Sequence, residues 1–389
     1  MKVQTGLEGF LARPPKWAAT GRVGLLCNQA SVDSRYRHAR SLLAKHFGRR
    51  LTAIFSPQHG IWGERQDNMV ESPHGRDPDL GIPVYSLYAD VRRPTEEMLD
   101  HIDTLVVDLQ EAGCRVYTFI TTLFSCLEEA ARLGKKVVVL DRPNPVGGLM
   151  EGNVLQEEMT SFVGVWPIPM RHGLTLGELA RFFNAEARLG ADLEVVPLRR
   201  WRRKMLFSDT GLPWVPPSPN LPTPDSALVY PGQVLLEGTN LSEGRGTTRP
   251  FELFGAPWID PAVLHRALGR CRLPGVVFRE TRFLPTHQKW KGKVCGGLQI
   301  HVTDSGAFRP YRTSLAILRE TLRLWSASFA WKKPPYEYER RRLPFDILSG
   351  DTRVRRALQE GRSPAAIVRM GLSRLDRFRR ESENHFIYR

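Results

Sequence analysis

Apolar residues recur along the first half of the chain in short continuous runs, separated by longer segments of mixed polarity. The runs cover residues 22–27, 51–55, 83–87, 104–109 and 136–141. Between them, residues 41–47, 96–99 and 119–133 have the periodicity of helices. Continuous apolar strands that alternate with helices are typical of a parallel sheet that is covered on both faces. The pattern predicts an α/β fold with a doubly wound parallel sheet.

The pattern changes in the last third of the chain. Strands are predicted at residues 276–278 and 298–302, and an amphipathic helix is predicted at 311–329. This arrangement favours a smaller α+β unit. We therefore expect two domains, a larger one over residues 1–255 and a smaller one over 256–389, with a C-terminal tail that can pack back on the first.

The chain has 389 residues and a formal net charge of +15. Such a charge permits binding to polyanions. Near the C-terminus, however, the arginines alternate with apolar positions such as Val354, Leu358, Leu375 and Phe378, which indicates the outer faces of amphipathic helices. We therefore expect no nucleic-acid partner; steep salt dependence of DNA binding would contradict this.

Several familiar signals are missing from the sequence. No run of about 18 apolar residues is present, so we expect no membrane partner. The N-terminus lacks the apolar segment of a secretory signal, and five widely spaced cysteines form no Cys-x-x-Cys, so we expect reduced thiols and a cytoplasmic protein. No Gly-x-Gly-x-x-Gly, P-loop or metal-ligand spacing occurs, which predicts neither a cofactor nor a metal; His59 and His172 are expected to form hydrogen bonds.

Polar side chains follow the predicted strands at the points where they end. Ligands bind beyond the carboxyl ends of the strands in doubly wound sheets, so these residues are candidates for a binding site. They are Asn28, Gln58, His59, Glu64, Asp108, Asp141, Arg142 and Asn144. Glu178, by contrast, follows Thr175 at the spacing of a capping box and is predicted to be structural.

The densest polar segment is a glycine-rich stretch over residues 238–251. It follows Leu235–Glu237, which we interpret as the end of a strand, and it contains Asn240, Glu243 and Arg245. Glycines allow the backbone to adopt positive φ and to approach a ligand closely. A surface turn held by its own hydrogen bonds is the alternative interpretation, but the density of polar groups favours a binding loop.

Motifs along nearly the whole chain resemble those of the exo-acting β-N-acetylmuramidases, bacterial glycosidases of peptidoglycan turnover. The matching segments include 3–6, 24–28, 56–60, 81–88, 108–110, 115–118, 140–148, 167–169, 172–173, 217–220, 237–254 and 342–346. The resemblance implies a Rossmann-like catalytic domain, a smaller auxiliary domain and a cleft between them. It also implies removal of N-acetylmuramic acid from non-reducing ends.

One position departs from the family pattern. The family's Pro-Glu-His-Gly motif carries a glutamate regarded as catalytic, and here Gln58 stands in its place. A glutamine cannot serve as a general acid or base. Three outcomes stay open: Glu64 or Glu243 supplies the proton, the substrate or mechanism differs, or the protein is a non-catalytic binder of amino-sugar or cell-wall fragments. We favour retained hydrolysis, because the other polar residues of the family pattern are present.

An N-acetyl sugar can stabilise its own oxocarbenium-like state with its acetamido group, so that the protein supplies one acid and one group that orients the amide. Gln58 offers both a donor and an acceptor for that purpose. Arg245 is predicted to bind the lactyl carboxylate of the sugar, with Arg142 and Arg171 as alternatives. The remaining candidates for contacts with the substrate are Asn28, His59, Asp108, Asp141, Asn144, His172, Asn220 and Asn240. We expect a cytoplasmic enzyme that acts on recycled fragments.

Overall fold

The computed structural model describes residues 2–67 and 69–389. The strands are β1 Val23–Cys27, β2 Leu51–Ser56, β3 Gly75–Arg76, β4 Pro83–Ser86, β5 Thr104–Asp108, β6 Lys136–Leu140, β7 Glu151–Val154, β8 Pro169–Arg171, β9 Asp192–Val196, β10 Leu253–Ala256, β11 Val276–Phe283 and β12 Cys295–Val302. The α-helices are α1 Gly6–Ala12, α2 Ala39–Phe47, α3 Glu96–Leu99, α4 Phe119–Arg132, α5 Leu176–Glu186, α6 Pro224–Gln233, α7 Pro261–Gly269, α8 Pro310–Leu324, α9 Pro344–Ser349, α10 Thr352–Gln359, α11 Pro364–Arg369 and α12 Leu372–Glu383.

A seven-stranded sheet forms the centre of the larger part of the chain. Its strand order is β3-β4-β2-β1-β5-β6-β9, and every neighbouring pair is parallel except β3 with β4. Leu25 and Leu26 of β1 belong to two different apolar clusters. One cluster lies under α1 and α2, and the other lies under α4 and α5. Both faces of the sheet are therefore covered, which confirms the predicted doubly wound α/β fold.

The second sheet is small and antiparallel, with the order β10-β12-β11. Helix α7 packs against it and α8 packs against α7, and α10 to α12 follow with buried apolar residues such as Val354, Ile367 and Phe378. This confirms the predicted smaller α+β unit and the amphipathic nature of the arginine-rich helices. At the end of the chain, the Tyr388 hydroxyl donates to Asp141 at 2.6 Å and accepts from the Leu198 amide. The last residues thus pack against the central sheet.

Local predictions hold in some places and fail in others. Thr175 and Glu178 form the predicted capping box at the start of α5. The strand predicted at Leu235–Glu237 is wrong: residues Val234–Gly238 form a 3₁₀ turn that continues α6. Such a short apolar run does not distinguish a strand from a buried helical turn. The helix predicted at 311–329 ends earlier, at Leu324. None of the helices in the described ranges is long and apolar enough to cross a membrane.

Candidate active site

A polar recess lies between the carboxyl edge of the central sheet and the segments that follow it. Its walls come from the loop after β2, the loop before α4, the proline-rich loop before α6, α6 itself, the glycine-rich loop and a loop before α9. The lining residues are Gln58, His59, Val116, Tyr117, Thr118, Val163, Ser218, Leu221, Tyr230, Glu237, Arg245, Phe251, Tyr336 and Glu337. We refer to these residues as the recess.

Gln58 lies in the recess and is almost fully buried. The hydroxyl of Thr118 donates to its Oε1 at 2.6 Å. Thr118 precedes α4, yet its side chain makes no cap hydrogen bond to that helix. A threonine in this position ordinarily caps the helix. Here it holds the Gln58 amide in one orientation, so that Nε2 faces the opposite wall.

His59 is fixed beside Gln58 in a backbone conformation with a φ of 77°. Nδ1 contacts the carbonyl of Arg65 at 2.6 Å, and Nε2 contacts the hydroxyl of Ser218 at 3.2 Å. Because a carbonyl only accepts, Nδ1 carries the proton and Nε2 accepts from the serine. Burial lowers the pKa of His59 to about 4. The imidazole is therefore neutral at pH 7, and a positive φ at a non-glycine residue is the kind of strain found at functional sites.

Arg245 enters the recess from the glycine-rich loop. Its neighbours Gly244 and Gly246 have φ values near 80°, as the glycine content predicts. Nη2 donates to Glu237 Oε1 at 2.7 Å, and Nε lies 3.4 Å from Glu243. Nη1 is buried and makes no hydrogen bond within the described part of the chain. A buried donor without a partner is costly, so this nitrogen is positioned for an anionic group.

Two carboxylates line the recess in contrasting environments. Burial alone would raise the pKa of Glu237, but the charge and hydrogen bond of Arg245, with the hydroxyl of Tyr336, outweigh it and lower that pKa. Glu337 accepts from the hydroxyl of Tyr88 at 2.8 Å, and its other oxygen lies 3.5 Å from Gln58 Nε2. Burial raises the pKa of Glu337 to about 7, with a further contribution from the negative charge of Glu237.

Neither carboxylate predicted as a proton donor lines the recess. Glu64 is exposed and borders a separate surface depression with Trp62 and Arg65. Glu243 is buried behind Arg245, and its Oε2 lies 2.6 Å from the ammonium of Lys289. The structure brings Gln58, His59 and Arg245 together, and it places Glu64 and Glu243 outside.

The other predicted substrate-binding residues lie around the recess without lining it, and most of them hold loops in place. Asp108 forms a buried two-point ion pair with Arg142 at 2.6 and 2.8 Å. Burial raises the pKa of Asp141 to about 7, and its carboxylate accepts from Thr175, Gly177 and Tyr388. The side-chain amides of the predicted asparagines each donate to a backbone carbonyl, from Asn28 to Pro217, from Asn144 to Leu174, from Asn220 to Gln66 and from Asn240 to Ser328. His172 faces the buried Glu111 at 3.3 Å.

Sequence reasoning missed the contribution of the loop before α9. Tyr336 and Glu337 come from this loop, and Tyr336 donates to Glu237 at 2.7 Å. A signal was present, since aromatic and acidic residues alternate over 336–339, a few residues before the start of α9. This loop belongs to the second domain, however. The rule that ligands bind beyond the carboxyl ends of parallel strands therefore does not identify it.

Comparisons with known proteins identify the family of the chain. The family model "Exo-beta-N-acetylmuramidase NamZ, N-terminal" matches residues 23–225, and its C-terminal counterpart matches residues 228–388. The chain belongs to the exo-β-N-acetylmuramidase NamZ family. A relative from Bacillus subtilis (strain 168), the peptidoglycan β-N-acetylmuramidase NamZ, is 41% identical over 388 residues, which is all of this chain and 92% of that protein.

Two solved structures share the fold of this NamZ-family chain. Both are DUF1343 family proteins from Bacteroides fragilis NCTC 9343. The first is 35% identical with a TM-score of 0.90, and the second is 27% identical with a TM-score of 0.77. Each comparison covers all of this chain and 99% of the other. The similarity therefore extends over the whole chain.

Proposed function

We propose that this chain is a glycoside hydrolase that removes N-acetylmuramic acid from the non-reducing ends of peptidoglycan fragments. The observation that carries the proposal is the full-length relation to a peptidoglycan β-N-acetylmuramidase, at 41% identity over both domains. The recess adds chemical support, because it combines an amide, a neutral imidazole, a guanidinium and two carboxylates within buried walls.

Arg245 is the proposed partner of the substrate carboxylate. N-acetylmuramic acid differs from N-acetylglucosamine by a lactyl group with a negative charge. Nη1 of Arg245 is buried and without a hydrogen bond among the described residues, and so is the hydroxyl of Tyr117, which lines the same recess. A guanidinium forms strong charge-assisted hydrogen bonds with a carboxylate. The two open donors suit a sugar that carries this acidic substituent.

Gln58 is the proposed partner of the acetamido group. Its Oε1 already accepts from Thr118, which leaves its Nε2 to donate to the acetamide carbonyl. A correctly oriented acetamide can assist the departure of the leaving group, and this route requires only one carboxylic acid from the protein. For Asn28, Asp108, Asp141, Arg142, Asn144, His172, Asn220 and Asn240, we propose that they act by positioning the loops that form the recess.

The proposal is tested with two disaccharides that differ in their non-reducing sugar. Release of N-acetylmuramic acid is expected when that sugar is at the non-reducing end and β-linked. No release is expected when N-acetylglucosamine is at that end. A chromogenic aryl β-N-acetylmuramide gives the rate. If the aglycone is not released while calorimetry detects binding of the same compound, the alternative function as a non-catalytic binder is correct.

A cytoplasmic location is also proposed. All five cysteines are free, and four of them are buried. Unpaired thiols are the rule in reducing compartments. Recovery of the native protein from a periplasmic extract would contradict this part of the proposal.

A further inference from the structure

Glu337 occupies an unusual place in the recess. Only 5% of the residue is exposed, and its φ of 42° lies in the left-handed region, which non-glycine residues rarely adopt. The next residue, Tyr338, also has a positive φ, of 69°. The loop is held there by Tyr336, which donates to Glu237, and by the side chain of Met69, which contacts the Glu337 amide. The fold thus supports a strained backbone that delivers one carboxyl group into the recess.

Among the described residues, no cation forms an ion pair with Glu337, and the charge of Arg245 lowers its pKa less than burial raises it. Tyr88 holds one oxygen at 2.8 Å, and the amide of Gln58 lies at the long distance of 3.5 Å from the other. The guanidinium in the recess, Arg245, is instead paired with Glu237 at 2.7 Å. Two carboxylates in one site with such different partners are a recognised arrangement for dividing acid and anion roles. Glu237 is the permanent anion, and Glu337 is the group that can hold a proton near neutral pH.

We propose that Glu337, supplied by the second domain, is the proton donor of this chain and takes the role that the family assigns to a glutamate at the position of Gln58. The inference rests on the proposed function. It explains how a chain with glutamine in the family motif keeps a complete set of groups for hydrolysis. The two positions are 279 residues apart in sequence but in contact across the recess.

The proposed reaction balances without a cofactor. Glu337 gives its proton to the glycosidic oxygen, and the bond from this oxygen to C1 breaks with the electron pair on the leaving oxygen. The acetamido oxygen of the substrate bonds to C1 in its place. Water then adds to C1, the acetamide is released, and the proton of the water returns to the Glu337 carboxylate. The role of Gln58 is to hold the acetamide by a hydrogen bond, with its Nε2 also directed toward Glu337.

The test compares leaving groups in wild type and Glu337→Gln. With a sugar as the leaving group, which needs a proton to depart, kcat is expected to fall about 10²–10⁴-fold. With a 2,4-dinitrophenyl β-N-acetylmuramide, whose phenolate departs without protonation, the loss is expected to be about 10-fold or less. Glu339→Gln is the matched control, because Glu339 lies on the same loop, outside the recess, and pairs with Arg342.

The pH profile supplies a second readout. The acid must be protonated to act, so kcat/KM of the wild type should fall as the pH rises through about 7, the pKa of Glu337. This decrease of kcat/KM above pH 7 should be absent from the dinitrophenyl reaction of Glu337→Gln. An equal loss for both leaving groups, or full retention with the sugar, would overturn the assignment of Glu337. A wild type that binds but does not hydrolyse either substrate would instead overturn the proposed function.

Discussion

At the scale of single residues, Arg245 illustrates how one side chain can connect structure and specificity. Its Nη2 is bound to Glu237, and its Nη1 is left open. In Arg245→Lys, the ammonium can keep one ion pair but cannot serve two carboxylates in a planar fork. We expect kcat/KM for β-N-acetylmuramides to fall about 10- to 100-fold, equivalent to roughly 1.5–3 kcal/mol for a charged hydrogen bond.

The comparison substrate is the matching β-N-acetylglucosaminide, which lacks the lactyl carboxylate. The ratio of the two kcat/KM values should move toward one in Arg245→Lys. Arg249→Lys is a suitable control, since Arg249 is on the same loop with a side chain 47% exposed and pairs with Glu252. If the ratio of the two substrates is the same in Arg245→Lys as in the wild type, Arg245 does not recognise the carboxylate.

How far single residues could be predicted depended on where they lie in the chain. Gln58, His59 and Arg245 line the recess, and the sequence singles them out because they follow a predicted strand or stand among glycines, which are both local signals. Asp141 and Asn28 also follow strands, yet Asp141 accepts from the Gly177 amide at the start of α5 and Asn28 donates to the Pro217 carbonyl. The local rule identifies the edge of the sheet but not which side chains turn into the recess.

At the scale of elements, α6 and the turn after it show what an apolar pattern cannot reveal. The Cβ position of Gly232 in α6 would overlap the backbone carbonyl of Pro310 at the start of α8. This contact sets the close approach of the two helices. The periodicity of residues 224–238 contains no trace of it, because the missing side chain is visible only when the partner helix is in place. The buried strands, by contrast, are predicted because their own residues form continuous apolar runs.

The close approach of α6 and α8 predicts different effects on stability for substitutions at two glycines. Gly232→Ala should lower the free energy of unfolding by about 1–3 kcal/mol, because a backbone carbonyl cannot move aside without shifting α8. Gly269→Ala at the end of α7 is the matched control: its Cβ would meet nothing within 4 Å. It should be neutral or stabilising by about 0.4–1 kcal/mol. Urea unfolding of both variants checks this, and equal midpoints would show that the helices are free to separate.

At the scale of the whole molecule, the recess exists only because distant parts of the chain meet. Gln58 follows β2 of the central sheet, and Glu337 lies shortly before α9. No sequence rule links positions that far apart, and the sequence therefore suggested Glu64, which is near Gln58 in the chain but outside the recess. The resemblance to a family predicted a cleft between two domains, but not which residues of the second domain close it.

The C-terminal residues stabilise the central sheet at the ends of β6 and β9. The Tyr388 hydroxyl donates to the buried Asp141 and accepts from the Leu198 amide. In Tyr388→Phe, both groups lose a partner, so the free energy of unfolding should fall by about 1–3 kcal/mol. Tyr36→Phe is the control, because Tyr36 is 67% exposed.

The decrease in the free energy of unfolding caused by Tyr388→Phe should also depend on pH. Burial raises the pKa of Asp141 to about 7, above its unfolded value, so its contribution to stability is complete at low pH and is lost as the pH rises through 7. The hydrogen bond from the Tyr388 hydroxyl favours the ionised form of Asp141. Without this hydroxyl, the pKa of Asp141 in the folded protein rises further. The difference between wild type and Tyr388→Phe should therefore be larger at pH 8.5 than at pH 5.5. A difference that is constant with pH would mean that the hydroxyl acts only through Leu198.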